Sequence, residues 1–274
     1  MIRWTMFRNR GLNIDDPETT ELRYEIVRRK KFLRKVYKEW YDAILAALPA
    51  GQGAVLELGS GAGFLRDYIP DLVTSDVIPS RQLDLIADGH HVPFSDSSLR
   101  AIVMVNVLHH IPRCRLFFAE ATRTVRPGGM LLMVEPWVTP WSRFVFRRLH
   151  HEPFDPDAKA WEFPSTGPLS GANSALPWIL FRRDRSRFEQ EFPEWRLLKI
   201  EPCMSFRYLL SGGMSAPTIS PAWTFGFWAK TERLFRQWIG ECGLFAYIVL
   251  ERIEGNGTDG MNGREERRKL KIKN

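Results

Sequence analysis

The chain has 274 residues, and its hydrophobic share of 44% and charged share of 26% are ordinary for a globular protein. Its three cysteines, Cys114, Cys203 and Cys242, show neither a close pair nor a metal-ligand spacing, which argues against a disulfide framework and a zinc site. The formal net charge of +7 suits nucleic acid, an anionic membrane surface or an anionic acceptor, and does not choose among them.

We expect neither a signal peptide nor a membrane-spanning segment. No apolar stretch follows the early arginines as a signal peptide would require, and no apolar run is long enough to span a bilayer. We therefore expect a cytoplasmic protein. The length suits one domain over residues 1–254, and the glycine-rich, charged stretch 255–274 predicts a disordered tail.

Apolar side chains recur at three- and four-residue steps from Glu21 to Leu48 and predict one long helix, which ends at Pro49. Short apolar runs then alternate with helical stretches. The predicted strands are Ala54 to Leu58, Leu72 to Ser75, Leu83 to Ile86, Ala101 to Val105, Met130 to Val134, Trp195 to Ile200 and Leu244 to Arg252. The predicted helices are Phe64 to Tyr68, Cys114 to Val125 and Arg182 to Phe192. This alternation predicts an α/β fold with a doubly wound, mostly parallel seven-stranded sheet.

Residues 137–243 interrupt that alternation, and we expect them to form an inserted lid and acceptor-binding region. They are unusually aromatic between the last two predicted strands. Four apolar residues there can share one helix face, with basic residues largely elsewhere, namely Trp228, Phe235, Trp238 and Ile239. Such a helix suits either a lid packed on the core or a helix lying on an anionic membrane.

The strongest chemical signal is the segment Glu57 to Gly63, which reads Glu-Leu-Gly-Ser-Gly-Ala-Gly directly after the first strand. Glycines there allow a sharp turn and a close approach of backbone to ligand. A dinucleotide fingerprint requires glycine where Phe64 stands, and no Gly-Lys-Ser/Thr follows for a phosphate loop. A purely structural glycine turn remains the alternative.

The acidic-x-Gly-x-Gly-x-Gly pattern resembles the cofactor loop of class I S-adenosylmethionine-dependent methyltransferases. Asp76 comes 19 residues after Glu57, at the end of the second strand, where this family places the acid that accepts both ribose hydroxyls. Three further stretches are similar to the same family: Asp88 to Phe94, Asn106 to His110 and Val125 to Gly129. The resemblance covers Val55 to Val134 and is nearest to the type 11 branch, which includes quinone, small-metabolite and glycan methyltransferases.

The resemblance implies a Rossmann-like fold with an antiparallel final strand, a core binding S-adenosylmethionine at residues 54–135, and no metal. Glu57 should lie near the ammonium end of the cofactor, the glycines along its methionine part, and Asn106 near its sulfonium. The cofactor-binding residues that it predicts are Glu57, Gly59, Gly61, Gly63, Asp76, Asp88, Gly89 and Asn106.

Methyl transfer to oxygen also needs a group that removes a proton, and histidine is the usual base near neutral pH. His109 and His110 follow the fourth strand and are our predicted catalytic residues. His90 and His91 lie one loop away, and His150 and His151 lie in the insertion. Each of these histidines could instead serve packing alone.

Nucleic acid is disfavoured as the acceptor for two reasons. Amino-group DNA methyltransferases carry an Asn/Asp-Pro-Pro-aromatic turn after the fourth strand, where this chain has Asn106 to His109. Cytosine C5 methyltransferases carry a Pro-Cys nucleophile in the same loop, whereas Pro202-Cys203 follows a much later strand. We expect O-methylation of a small-molecule, lipid-like or glycan acceptor, with peripheral membrane contact open. The alternatives are a C-methyltransferase of a quinone-type lipid and a non-catalytic regulatory protein that binds S-adenosylmethionine or a membrane.

Overall fold

The structure, a computed structural model, describes residues 13–149, 152–164, 167–234 and 242–254. Our predictions for His150, His151, Phe235, Trp238, Ile239 and the tail 255–274 fall outside these residues. Among the described residues, no helix combines the length and apolarity needed to cross a bilayer.

A seven-stranded sheet forms the centre of the fold, with the strand order β3-β2-β1-β4-β5-β7-β6. Its strands are β1 (Ala54–Leu58), β2 (Leu72–Asp76), β3 (Leu85–Ile86), β4 (Leu99–Val105), β5 (Val125–Pro136), β6 (Trp195–Cys203) and β7 (Phe245–Arg252). β1 to β5 pair in parallel, and β7 runs antiparallel to both of its neighbours. The predicted mostly parallel sheet with an antiparallel last strand is confirmed. From β1 the chain builds β2 and β3 towards one edge of the sheet, and it then returns to place β4 on the other side of β1. Ligands are expected at such a reversal of strand order, beside the carboxyl ends of β1 and β4.

Helices cover both faces of the sheet. They are α1 (Pro17–Arg29), α2 (Lys31–Ala47), α3 (Cys114–Thr124), α4 (Pro140–Leu149), α5 (Leu176–Trp178), α6 (Arg185–Glu191), α7 (Arg207–Ser211) and α8 (Phe225–Leu234), with a π-helical turn at Ile179–Arg183. Successive strand residues point to opposite faces, so Leu56 packs with α3 while its neighbour Val55 packs with α2. The result is a three-layer fold with two hydrophobic cores.

The predicted single helix from Glu21 to Leu48 is wrong, because two helices meet at a break at Lys30. The Lys30 ammonium donates to the carbonyl of Gly213 at 2.8 Å and to that of Ala216, in a distant part of the chain. This long-range contact fixes a non-helical backbone at Lys30 that periodicity cannot anticipate. As a consequence, α1 turns away from the line of α2 and brings Arg23 to the central cavity.

Two smaller predictions also change. The helix expected from Phe64 to Tyr68 is a single 3₁₀ turn at Leu65–Asp67, so no α-helix begins at the glycine loop. The strand expected from Met130 to Val134 begins earlier, at Val125, directly after the helix that ends at Thr124. Its early part is irregular, since Leu99 pairs with Val125 and Ala101 pairs with Met130.

Of the four residues of the predicted apolar helix face, Trp228 lies in the described part of the chain. It is partly buried, and its indole N–H donates to Ser220 Oγ at 3.1 Å. A different side of α8 exposes apolar side chains to solvent, Phe227 among them. The choice between a lid and a membrane-facing helix stays open.

Candidate active site

A cavity of about 1040 Å³ opens at the carboxyl ends of β1, β2, β4 and β5. It contains every residue that the sequence predicted for cofactor binding or catalysis: Glu57, Gly59, Gly61, Gly63, Asp76, Asp88, Gly89, Asn106, His109 and His110. His90 also lines it. The sequence therefore located the site, while the role of each residue within it stays a prediction.

The glycine loop approaches its neighbours more closely than any side chain would allow. Gly59 has a φ of +70°, and a Cβ built there would lie 2.5 Å from Cγ2 of Val107. Gly61 has a φ of +46°, and its N–H donates to Asp76 Oδ2 at 2.9 Å. Both positions require a left-handed backbone, which glycine adopts without steric cost. The loop is thus held open towards the cavity.

Asp76 anchors this loop and keeps further bonding capacity. Its Oδ1 accepts the N–H of Ile78 at 3.0 Å, while its Oδ2 holds Gly61. Burial raises the pKa of its carboxyl group, although these backbone hydrogen bonds oppose that effect. Since a carboxylate accepts about four hydrogen bonds, Asp76 can still receive a pair of hydroxyl groups, as the ribose of the cofactor would require.

Glu57 is a buried carboxylate at the end of β1. Burial raises its pKa to about 7, and within the described part of the chain its Oε2 atom has no hydrogen-bond partner. An unpaired buried carboxylate oxygen beside a cavity favours a cationic ligand group. The ammonium group of S-adenosylmethionine has that chemistry, so Glu57 and the glycine cradle fit this cofactor.

The remaining predicted cofactor contacts form two walls of the cavity. The Asp88 carboxylate is exposed and accepts the N–H of His90 at 2.9 Å. At Gly89 a Cβ would lie 3.0 Å from Leu58, so a small residue keeps that wall flat. Asn106 has a φ of +59° and donates its N–H to Val134 at 2.8 Å. A left-handed conformation at a residue other than glycine is uncommon and is often found at functional sites.

Helix α2 adds two tyrosines that the sequence indicated only as core residues. The Tyr41 hydroxyl accepts the N–H of Phe64 at 3.1 Å and so secures the end of the glycine loop. Tyr37 is buried beside it, and both tyrosines line the cavity. Their helical spacing predicted burial, but no local signal distinguishes a core tyrosine from one that borders a ligand.

His109 is fully buried between two carboxylates. Its Nδ1 lies 2.7 Å from Oε2 of Glu135, and its Nε2 lies 3.3 Å from Oε2 of Glu152. Burial lowers the pKa of His109, but the hydrogen bonds to Glu135 and Glu152 outweigh it and raise the pKa to about 9. The imidazole is therefore a cation at neutral pH and a poor proton acceptor.

His110 behaves in the opposite way. Burial, together with the neighbouring charge of His109, lowers its pKa to about 3. Its Nδ1 lies 3.3 Å from the carbonyl oxygen of Gly171, so we assign the ring hydrogen to Nδ1. Nε2 then carries a lone pair instead of a hydrogen, and this atom lies 3.7 Å from Oε1 of Glu152. His110 is a neutral hydrogen-bond acceptor beside the cavity.

Glu135 and Glu152 are the main functional candidates that the sequence reasoning missed. Glu135 is the penultimate residue of β5, and its Oε1 accepts the N–H groups of Val107 and Leu108, each at 2.8 Å. A charged residue directly after the apolar run Met130 to Val134 was the available signal for it. Glu152 lies in the insertion, where no regular spacing marked it, and it lines the cavity beside both histidines.

The same cluster is also the place where a metal ion could bind. Among the described residues, one set of histidine, cysteine and acidic side chains has donor atoms close enough together to bind one ion. It consists of His109, His110 and Glu152, whose donor atoms lie within 4.8 Å of one another. The contacts of His109 with two carboxylates already balance its charge without a metal. We therefore interpret the cluster as an acid–base group.

The rest of the cavity is mainly apolar. Its wall away from the glycine loop comes from α4, the segment after α7 and the start of β7, and includes Val145, Phe146, Leu149, Leu209, Met214, Ile219 and Phe245. Beyond the cofactor residues, the cavity thus combines Arg23 and the cluster of His109, His110 and Glu152 with apolar walls, which suits an acceptor that presents a polar group on an apolar body.

Comparison with known proteins agrees with this geometry. Residues 56–133 match the profile of a methyltransferase domain family. The chain is 32% identical over 120 residues to the demethylmenaquinone methyltransferase of Beutenbergia cavernae, an alignment that covers 38% of this chain and 50% of that protein. It is 27% identical over 99 residues to the polyketide synthase-nonribosomal peptide synthetase TwmB of Talaromyces wortmannii, covering 35% of this chain and 3% of that protein.

Among solved structures, the fold of this chain resembles that of a protein chain in the complex between the Haloferax volcanii Trm112 methyltransferase activator and a candidate methyltransferase. The TM-score is 0.50 at 14% identity, with 85% of this chain and 96% of that chain covered. At this identity the likeness concerns the fold alone. The chain spans half the length of the first curated relative and a small part of the second.

The fold, the glycine loop and the profile match all agree with the predicted resemblance to class I methyltransferases. The match covers residues 56–133, so these residues form a methyltransferase domain of the kind that the sequence predicted. The predictions of such a domain and of S-adenosylmethionine as its cofactor are supported over these residues, and the activity of the whole protein is a proposal.

Proposed function

We propose that the protein methylates a hydroxyl oxygen on an apolar, lipid-like acceptor. The observation that carries this proposal is the cluster of His109, His110 and Glu152 in the same cavity as the cofactor loop, surrounded by apolar walls. The acceptor hydroxyl would bind at the cluster, and its apolar body would lie along the surfaces of α4 and the segment after α7.

The cofactor residues would hold S-adenosylmethionine at the other end of the cavity, with Glu57 towards its ammonium group and Asp76 towards its ribose. When bound, the cofactor supplies an electrophilic methyl group on a positively charged sulfur. The protein's task is mainly to orient the acceptor oxygen and to exclude water, since alignment of the reacting atoms removes much of the barrier.

Proton removal is assigned to the carboxylate of Glu152. His109, held as a cation by Glu135, would stabilise negative charge that develops on the acceptor oxygen. His110 would accept a hydrogen bond through Nε2 and orient the hydroxyl. This division of roles retains His109 and His110 as the predicted catalytic residues and adds Glu152 as the base.

A second candidate is carbon methylation of a quinone-type ring. Two observations favour it: the apolar cavity, and the identity of 32% with a demethylmenaquinone methyltransferase over 120 residues. The same cluster would then remove a proton from a ring hydroxyl and increase the nucleophilicity of the adjacent carbon. The two candidates differ in the product, which is a methyl ether in one case and a new carbon–carbon bond in the other.

Methyl transfer from labelled S-adenosylmethionine tests the proposal. The wild type, Glu152→Gln and Glu162→Gln are incubated with a reduced isoprenoid quinone, a lipid-linked sugar or a long-chain phenol, and the product is analysed by NMR. Glu162 lies in the same insertion, pairs with Arg115 at 3.4 Å and does not line the cavity, so its variant is the matched control.

We expect the wild type and Glu162→Gln to form a methyl ether, and Glu152→Gln to lose about 10²- to 10⁴-fold in rate while still binding the cofactor. A carbon-methylated product would replace the first candidate by the second. Binding of the cofactor without transfer to any hydroxyl acceptor would favour the regulatory alternative and contradict both.

A further inference from the structure

Helix α8 exposes a stripe of large apolar side chains on its outer face. Trp223, in the turn that leads into α8, is 83% exposed; Phe227 is 64% exposed and Leu234 is 80% exposed. Steps of four and seven residues place all three on one side of a helix. The inner side of α8 is already packed, through Phe225 against Phe32 and through the buried Glu232. The exposed stripe is therefore additional to the core contact of this helix.

Helix α4 continues the same surface. Phe144 is 52% exposed and stacks on Trp141, whose ring lies 5.9 Å from that of Phe206. The N–H of Phe206 in turn donates to Glu232 of α8 at 2.8 Å. α4 and α8 are thus joined through Phe206, which is itself exposed, so exposed aromatic side chains continue from one helix to the other.

The exposed charges that α4 and α8 themselves carry have a single sign. The exposed polar positions of α4 carry Arg147 and Arg148, and the helix contains no acidic residue. On α8, Lys230 and Arg233 are exposed. The one acidic residue of α8, Glu232, is buried against Arg207 at 2.7 Å and offers no charge to solvent. Exposed aromatic and aliphatic side chains flanked by basic residues are typical of a surface that contacts anionic lipids.

This surface also borders an entrance of the cavity. Ile219 is 66% exposed and lines the cavity, as do the exposed Arg148 and Leu149 at the end of α4. Residues that are exposed and also line a cavity mark its openings. One opening therefore lies between the end of α4 and the segment that leads to Trp223, and a second lies at the cofactor end, beside Val77 and Asp88.

We propose that the outer faces of α4 and α8 dock on an anionic membrane surface, with Trp223, Phe227 and Phe144 inserted at the lipid interface and the opening beside α4 facing the bilayer. An apolar acceptor would then pass from the membrane to the cavity without crossing water. This inference extends the proposed function, but the docking itself requires neither cofactor nor acceptor.

Flotation with lipid vesicles tests the docking. The full chain is mixed with vesicles of phosphatidylglycerol and phosphatidylcholine, or of phosphatidylcholine alone, in the absence of cofactor and acceptor. The test variant is Trp223→Ser/Phe227→Ser, and the matched control is Ile86→Ser/Leu198→Ser, which removes two exposed apolar side chains from strands β3 and β6. Calorimetric binding of S-adenosylmethionine verifies that each variant is folded.

We expect the wild type and the control to float with the anionic vesicles, the test variant to bind about tenfold more weakly or worse, and all proteins to bind poorly to phosphatidylcholine alone. A brominated lipid should quench the fluorescence of the wild type more strongly than that of Trp223→Phe. Failure of the wild type to float, or equal binding by the test variant, would overturn the proposal. Dimerisation of the wild type that is lost in the test variant would instead identify this face as an interface between copies and would also overturn it.

Because vesicle binding and methyl transfer are measured separately, the two proposals can fail independently. A protein that methylates a soluble hydroxyl acceptor but does not float would keep the proposed reaction and lose the membrane surface.

Discussion

Nδ1 of His109 lies 2.7 Å from Oε2 of the buried Glu135, a contact between the turn after β4 and the last residues of β5. The other oxygen of Glu135 accepts the N–H groups of Val107 and Leu108. One carboxylate therefore fixes both the backbone that leads into the cluster of His109, His110 and Glu152 and the charge of His109.

Glu135→Gln should lower the pKa of His109 from about 9 by about 1 to 3 pH units, because the amide removes the negative charge beside Nδ1. NMR titration of the imidazole of His109 measures this directly. The folded-state pKa lies above the ordinary value of 6.5, so the stabilisation from this contact is complete below pH 6.5 and is lost as the pH rises through 9. The stability advantage of the wild type over Glu135→Gln should narrow over that range. An unchanged titration would show that Glu135 does not set the charge of His109.

Glu57→Gln should weaken the binding of S-adenosylmethionine at pH 8 by about 10- to 100-fold, because a charged hydrogen bond to the ammonium group is lost. The pKa of Glu57 is raised to about 7 by burial, so the affinity of the wild type should increase as the pH rises from 6 to 8. The affinity of the variant should be flat over the same range. Calorimetry in matched buffers gives both profiles, and parallel profiles would remove Glu57 from the cofactor site.

The buried carboxylate of Glu57 lowers the stability of the protein when no ligand is bound. Its folded-state pKa of about 7 lies above the ordinary value of 4.5, so stability is lost as the pH rises from 4.5 through 7. Relative to Glu57→Gln, the unliganded wild type should lose about 3 kcal/mol across this window. Urea unfolding at pH 4.5 and pH 8 measures the difference, and equal pH dependence in the two proteins would contradict it.

Gly59→Ala should abolish cofactor binding, whereas Gly128→Ala should leave it intact. Both glycines have a similar φ, +70° and +74°, so both substitutions carry the cost of a left-handed backbone. A Cβ at Gly59 would lie 2.5 Å from Val107, while at Gly128 it would meet nothing within 4 Å. The double variant Gly59→Ala/Val107→Ala should recover part of the affinity. Equal losses in Gly59→Ala and Gly128→Ala would indicate backbone strain alone.

Arg207→Lys should destabilise the fold by about 3 kcal/mol or more, because Arg207 joins three helices through one guanidinium group. Its Nε donates to Glu232 of α8 at 2.7 Å, and its Nη2 donates to Glu39 of α2 at 2.7 Å. A lysine ammonium cannot reproduce this forked geometry. Lys38→Ala, which removes an exposed pair with Asp42 on α2, is the control and should leave the free energy of unfolding nearly unchanged. Similar losses from urea unfolding would contradict the structural role of Arg207.

The features that the sequence predicted well are those that depend on residues close together in the chain. The glycine loop and Asp76 follow strands that are close in the chain, and the carboxyl ends of parallel strands necessarily meet at one edge of the sheet. The stripe of α2 was also predictable, since Leu33, Trp40 and Tyr41 recur at helical spacing and are all buried. In these cases the short-range pattern is sufficient to predict the position of the loop and the buried face of the helix.

What the sequence did not predict depends on contacts between distant segments. The break at Lys30 is fixed by carbonyls more than 180 residues away. The charge of His109 depends on Glu135 and Glu152, and no spacing rule relates these three residues. The direction of Trp228 depends on Ser220, which lies outside α8, so helical periodicity alone did not choose between a lid and a membrane-facing helix.

Calorimetric titration of S-adenosylmethionine into the wild type and into Asp76→Asn tests the central claim most directly. We predict micromolar binding by the wild type and a large loss in the variant, because Asp76 both holds Gly61 at 2.9 Å and retains acceptor capacity for the ribose. A folded wild type that does not bind the cofactor, or a variant that binds equally well, would contradict the account of this site.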